Sequence, residues 1–233
     1  MNVRRLEPEI MDDPAIPTEK HLEALRGLER LNRWSRSTSI VWPEIQRLAR
    51  LNRGRTLQIL DIASGGGDIP IGIYQRALNA SVALKVSGCD LSQRAVEYAQ
   101  RRAHEAKAEI AFFKFDVLRD VLPSDYDVIL CSLFLHHLDT EQAKCLLRRM
   151  ARNATQMVLI SDLLRSRAGL MLAHVATRLL TSSGVVHADG PQSVRAAFTP
   201  SEVMDIAERA GLDNVTFVQR WPCRFLLTWK RNA

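Results

Sequence analysis

Residues 56–73 read TLQILDIASGGGDIPIGI, and the reading of this stretch decides the fold. The branched and apolar residues Leu57, Ile59, Leu60 and Ile62 surround an acid, Asp61. They give way to a small-residue loop, then to Pro70 and a periodic apolar segment, the pattern of a buried strand, a tight turn and a helix start. Three consecutive glycines, Gly65, Gly66 and Gly67, let backbone N–H groups approach a ligand with no side chain in the way. A dinucleotide fingerprint, G-x-G-x-x-G, needs a third glycine, but Gly67 is followed by Asp68, Ile69 and Pro70. Asp68 would repel a pyrophosphate at the helix N-terminus and could accept hydrogen bonds from an ammonium. No Gly-Lys-Ser/Thr follows, which excludes a Walker loop. The loop reads as a nucleotide-type site for a cationic ligand.

The run D-I-A-S-G-G-G-D also resembles the first motif, D/E-x-G-x-G-x-G, of class I S-adenosylmethionine-dependent methyltransferases. Asp61 is the acid, Ala63 stands where the first glycine would be, and Gly65 and Gly67 match the others. The resemblance implies S-adenosyl-L-methionine as cofactor and S-adenosyl-L-homocysteine as product. Asp61, Ala63, Ser64, Gly65, Gly67 and Asp68 would hold it.

Upstream, residues 1–17 are polar and Pro-rich, which predicts an extended or loose arm. Thr18–Arg33 and Ile40–Leu51 carry leucines and isoleucines at helical spacing, so two helices precede the sheet. The join between them, Asn32 to Arg36, resembles the segment that closes over the cofactor in ubiquinone/menaquinone-type methyltransferases, which places Arg36 in the cofactor set. Read without the resemblance, it is a helix corner anchored by Trp34.

Downstream, a second strand over Ala83–Cys89 ends at Asp90, with Ser92 placed to cap the next helix. An acid at that strand end suits ribose hydroxyls, and Asp90 with Leu91 matches the family's ribose-binding position; Asp90 as a plain helix cap is the alternative. A third strand, Ile110–Phe115, leads to Asp116-Val117, which resembles the adenine-contacting pair. A fourth, Tyr126–Leu130, leads to Cys131-Ser132-Leu133-Phe134-Leu135-His136-His137. Cys131 joins the cofactor set. Nucleobase amino methyltransferases have Asn/Asp-Pro-Pro-Tyr here, so that activity is disfavoured, and the His pair resembles small-molecule methyltransferases.

A fifth strand, Gln156–Ile160, ends in Ser161-Asp162, and Val215–Gln219 and Phe225–Trp229 alternate as a closing pair. The expected fold is α/β: a doubly wound, mostly parallel seven-stranded sheet with right-handed crossovers, N-terminal helices over 1–55, a core over 56–233 and a helical lid insertion at 163–198, all in one structural domain. An apolar helix over Ala168–Leu180 and a long connection over Thr181–Pro200 form that insertion. A connection of this length in a compact domain is usually functional, so His187, Asp189, Arg195 and Phe198 are expected to contact substrate or to pack the lid.

Methyl transfer from a sulfonium is an in-line displacement that needs an oriented nucleophile and a base for its proton. Imidazole titrates near neutrality. His136 or His137, oriented by Asp162 on the adjacent strand end, is the candidate base, although either histidine could instead pack beside the cofactor. The expected reaction is O-methylation of a hydroxyl on a phenolic, polyketide-like or sugar-bearing acceptor. An RNA or protein methyltransferase and a non-catalytic cofactor-binding module are the alternatives.

The 233 residues, 46% hydrophobic and 25% charged, suit one domain with a large core. A net charge of +6 permits nucleic-acid or membrane partners, but the basic residues are spread through the chain, so neither partner is expected. The four cysteines lack C-x-x-C spacing, which predicts reduced thiols, no metal site and a cytoplasmic protein; a monomer or homodimer is expected. No signal-length or membrane-length apolar segment is read.

Overall fold

A computed structural model describes residues 3–231; the outermost residues of the expected arm and core, 1–2 and 232–233, lie outside the described residues. Five strands run parallel: β1 (Leu57–Ile62), β2 (Leu84–Asp90), β3 (Ile110–Lys114), β4 (Val128–Ser132) and β5 (Met157–Leu163). With β6 (Thr216–Arg220) and β7 (Arg224–Lys230) they form one seven-stranded sheet in the order β3-β2-β1-β4-β5-β7-β6. β7 is antiparallel to both of its neighbours. The expected doubly wound, mostly parallel sheet is the one that forms.

The central strands β1, β4 and β5 are buried almost end to end, as parallel strands covered on both faces must be. On one side α1 (Thr18–Trp34) leads into α2 (Ser37–Leu51), and Ile40, Val41, Trp42 and Ile45 of α2 pack with Ile59, Val128 and Leu159. On the other side α5 (Thr140–Asn153) and α8 (Pro200–Arg209) cover Leu60, Ile129 and Ile160. The connecting helices α3 (Asp68–Asn79) and α4 (Gln93–Glu105) complete the crossovers. Ser92 caps α4, accepting from Ala95 N, and Thr199 with Glu202 forms the capping box of α8.

Asp127 clamps the amino ends of the strands. Its buried carboxylate accepts hydrogen bonds from Gln58 N (2.9 Å), Thr155 Oγ1 (2.9 Å), Gln156 Nε2 (3.0 Å) and Arg55. Burial would raise its pKa, but these donors outweigh burial and hold it below the usual carboxylate range.

Two expectations fail. Residues 181–200 are not an open connection: after α6 (Arg167–Leu180) they form a helix, α7 (Gly184–Ala196). Seven of its residues are buried, including Val185, Val186 and Val194. Gly190 is what lets α7 lie on α6, since a Cβ there would come within 2.6 Å of Thr177 Cγ2. Residues 4–16 are also not a loose arm. They form a strap whose short 3-10 turn, Ile10–Asp12, is capped by Asp189, its two oxygens each accepting at 3.0 Å from Ile10 N and Met11 N. Arg4 donates to the carbonyls of Ala196, His136 and Leu138 (2.5, 2.8 and 2.7 Å). No helix among the described residues is long and apolar enough to cross a membrane.

The glycine-rich loop supports a paired test. Gly67 has φ +76°, and a Cβ there would stand 2.8 Å from Phe112 Cζ and 2.9 Å from Ala99 Cβ; Ala63 already carries a left-handed φ of 52°. Gly67→Ala should lower stability by about 1–3 kcal/mol in urea unfolding. Ala63→Gly should stay within about 1 kcal/mol of wild type, strain relief offsetting the added backbone entropy. Equal effects of the two changes would contradict this account of the loop.

Candidate active site

The strand order reverses between β1 and β4, and a cavity of 330 Å³ opens at their carboxyl ends, a size suited to a small ligand. Asp61, Ala63, Ser64, Gly65 and Asp68 line it from the loop, and Asp90, Leu91, Asp116 and Val117 from the strand ends beyond. Gly67 does not line the cavity; it packs beneath the loop against Phe112 and Ala99.

One carboxylate of this wall, Asp61, is not fully satisfied by the protein. Asp61 is 1% exposed, and its Oδ1 has no hydrogen-bond partner, nor does the buried Ser64 Oγ. Burial, then the charges of Asp68 and Asp90, push the Asp61 carboxyl well above its ordinary range. Burial raises Asp68 to about 6 despite a hydrogen bond from Asn32. Asp90 accepts from Gly65 N (2.8 Å) and Ser92 N (2.9 Å), so it does cap the turn, and burial still raises it. A wall that concentrates negative charge out of water fits a ligand carrying positive charge. The sulfonium and ammonium of S-adenosylmethionine fit that demand, and a Cβ at Gly65 would meet nothing within 4 Å, so the loop backbone is open to the cavity.

At the other end of the cavity, β4 runs into a 3-10 turn, Leu135–His137, beside the end of β5. Asp162 is 2% exposed and holds His136 twice: Oδ1 lies 2.7 Å from Nδ1, and Oδ2 accepts from His136 N at 3.1 Å. Burial raises the Asp162 pKa, but His136 and the backbone donors outweigh it and keep the carboxyl below its ordinary value. Ionised Asp162 can only accept here, so the ring proton sits on His136 Nδ1, which donates to it, and Nε2 is the nitrogen without a proton. His137 Nδ1 lies 3.1 Å from Asp12 of the strap. Burial pulls the His137 pKa down, but Asp12, then Glu9 and Asp162, pull it up to about 9. Glu9 faces both rings, 3.8 Å from His136 Nε2 and 3.9 Å from His137 Nε2. One ligand atom each from Glu9, His136 and His137 lies within 4.8 Å of the others, a metal-ligand spacing absent from the sequence reading.

Several expected site residues are elsewhere. Cys131 lies in the core, and the next residues, Ser132 and Leu133, line the cavity instead. Arg36 is exposed on a separate groove with Arg220 and Trp221. None of the four expected lid contacts reaches the cavity: His187 Nε2 is 2.8 Å from Thr181 O, Asp189 caps the strap, Arg195 accepts Arg5 N through its carbonyl, and Phe198 is core. Their neighbours Gly190, Ser193 and Val194 line it, with Leu172, Ala173 and Ala176 of α6. The strap acids Glu9 and Asp12 and the buried Arg224 were not singled out in the sequence, where nothing in the surrounding pattern marks them.

Residues 59–156 match a family model described as a methyltransferase domain. The fold around this segment is the Rossmann-like methyltransferase fold. Among solved structures it is similar to magnesium protoporphyrin IX methyltransferase from Synechocystis PCC 6803 with bound S-adenosylmethionine (18% identity, TM-score 0.58, covering 94% of this chain and 100% of that one). It is also similar to TnmH (19%, TM-score 0.65, 97% and 62%) and to mitomycin 7-O-methyltransferase MmcR (17%, TM-score 0.56, 75% and 49%). The match spans only 57% and 56% of the length of two further matched structures, little more than half of each. No curated protein matches it by sequence.

The His137–Asp12 contact has a pH signature. A folded-state pKa of about 9 stands above the ordinary value of about 6.5. The contact therefore contributes stability that is complete below about pH 6.5 and is lost as pH rises through about 9. The melting temperature of wild type should exceed that of Asp12→Asn at pH 6 and converge with it by about pH 10. A difference that stays constant over this range would refute the assignment.

Proposed function

We propose that the chain transfers a methyl group from S-adenosylmethionine to a hydroxyl of a small, largely apolar acceptor, with His136 as general base. The observation that carries the proposal is the buried 2.7 Å contact of Asp162 with His136 Nδ1, which fixes Nε2 as the nitrogen able to take a proton. His137 is the weaker candidate, because Asp12 and Glu9 favour its protonated form at neutral pH. The bound cofactor supplies the electrophilic methyl group. His136 Nε2 accepts the hydroxyl proton as that oxygen takes the methyl group, and Asp162 steadies the imidazolium that results. Leu163, Leu172, Ala173 and Phe134 line the cavity and favour an apolar acceptor body. That one structural relative is a mitomycin 7-O-methyltransferase supports oxygen as the target atom.

In this reading residues 1–55 cover the cofactor and residues 163–198 the acceptor. Asp90 faces the ribose and Asp116 with Val117 the adenine. A monomer or homodimer working in the cytoplasm, without nucleic acid, completes the proposal.

The first measurement is calorimetric titration with S-adenosylmethionine and with NAD(P)H; selective binding of the sulfonium is expected. With a methylated phenol in hand, His136→Ala should lower kcat about 10²- to 10⁴-fold while leaving cofactor affinity near wild type. Turnover of that variant within threefold of wild type would overturn the base assignment. Because the base needs Nε2 free, treatment with a chelator should leave turnover unchanged; loss of activity restored by a divalent ion would assign Glu9, His136 and His137 to a metal instead.

A further inference from the structure

Glu9, His136 and His137 form the only group of three potential metal ligands among the described residues, one ligand atom from each lying within 4.8 Å of the others. All three line the cavity. The Glu9 oxygens stand 3.8 Å from His136 Nε2 and 3.9 Å from His137 Nε2, too far for hydrogen bonds. The three groups converge on a gap without bonding one another across it. A tetrahedral zinc ion, with nitrogen and oxygen ligands at about 2.0–2.2 Å, holds those ligands about 3.4 Å apart, so each of the two distances needs to close by only about half an ångström.

The far side of each ring is already built. Asp162 Oδ1 lies 2.7 Å from His136 Nδ1 and Asp12 Oδ2 3.1 Å from His137 Nδ1, the carboxylate partners that orient metal-binding imidazoles. Glu9 is positioned as well. Ser193 Oγ donates to its Oε1 at 2.5 Å, and the strap on either side of it is held by Gln192 at the Glu7 and Pro8 carbonyls and by Asp189 at the Ile10 and Met11 N–H groups. Side-chain exposure is 21% at His137, 11% at Glu9 and 5% at His136, so an ion in the gap would lie largely out of water. Two imidazole nitrogens and one carboxylate suit zinc and its transition-metal neighbours; magnesium and calcium prefer oxygen alone.

We propose that Glu9, His136 and His137 bind a zinc-type divalent ion that latches the strap shut and inhibits the enzyme. The ion would join the strap to the turn after β4, and it would occupy the Nε2 lone pair of His136. Glu9 could then not make way for an acceptor hydroxyl. The inhibition rests on the reading of His136 as base, whereas the ion site stands on its own geometry. The metal-free protein is the active form, the one a chelator leaves untouched.

Cobalt(II) and zinc(II) chloride would be titrated into the tag-free chain. Cobalt should give the visible absorption of a four-coordinate site, saturating at a single equivalent, and zinc should displace it; magnesium should do neither. H137A should lose the band. D12N, which removes only the partner behind a ligand, should weaken binding about 10- to 100-fold. Hydrogen exchange at the Ile10 and Met11 amides should slow at least about tenfold in zinc, and E9Q should abolish that slowing, because the ion then no longer holds the strap. Turnover should fall in step with zinc occupancy and recover on chelation. Circular dichroism checks that each variant is folded; if H137A is not, D12N and E9Q decide the matter. No band in wild type, or one that survives in both H137A and E9Q, would overturn the site and leave the His136→Ala test of the base untouched. Zinc that binds and raises turnover would overturn the latch and the base reading together. Zinc that binds and slows exchange without lowering turnover would overturn the inhibition.

Discussion

Between β1 and β4 the crossovers leave in opposite directions, so no crossover helix covers the carboxyl ends of those two strands. Everything else in the structure is fitted to that gap. The parallel sheet is buried on both faces, which leaves the strand ends as the place where polar side chains can meet a ligand. β1 delivers Asp61, β2 Asp90 and β5 Asp162, and the turn after β4 delivers His136. The gap is then roofed by α1 from upstream and by α6 and α7 from the stretch between β5 and α8, three helices that pack on one another.

Two buried aspartates at opposite ends of these strands separate structural charge from functional charge. Asp127 and Asp61 are 3% and 1% exposed. Asp127 is met by four donors and is held below the ordinary carboxylate range; Asp61 keeps an oxygen without a partner and is pushed far above it. The chain can satisfy a buried carboxylate, and at Asp61 it does not. Protein-supplied cations at that wall would stabilise the free fold and compete with the ligand. Leaving the wall unsatisfied makes the free protein less stable and lets a cationic ligand recover the difference on binding.

What was legible in the sequence follows from how local each feature is. Asp61 to Asp68, Asp90 and the His136–Asp162 pair depend on a strand, the turn after it and the order of neighbouring strands, and all three are written in short apolar runs and their punctuation. Cys131 was misplaced because strand parity decides its direction: it points into the core, and the cavity begins at Ser132. Arg36, His187, Asp189, Arg195 and Phe198 depend on which face of a helix or turn meets the roof, and no local pattern states that. Helix α7 was hidden for two reasons. Gly184, Gly190 and Pro191 read as turn residues, and a helix buried on most of its circumference carries little of the periodicity by which helices are recognised.

The strap was the least legible segment, and its chemistry explains why it matters. Residues 4–16 have no period and many polar groups, and their order comes from distant partners: Asp189 for the turn at Ile10, Gln192 for the carbonyls of Glu7 and Pro8, and Ser193 for Glu9. Such a segment can order only after α7 and the turn at His136 have formed. Few of its side chains reach a core, Ile16 being the buried exception, so its opening should cost less than global unfolding. It lies across the two histidines on the side away from Asp162. His136 is therefore held between a partner built into the sheet at Nδ1 and a detachable one, Glu9, facing Nε2. A general base needs that asymmetry: the first partner fixes the ring and its tautomer throughout, while the second must yield its place to the acceptor hydroxyl.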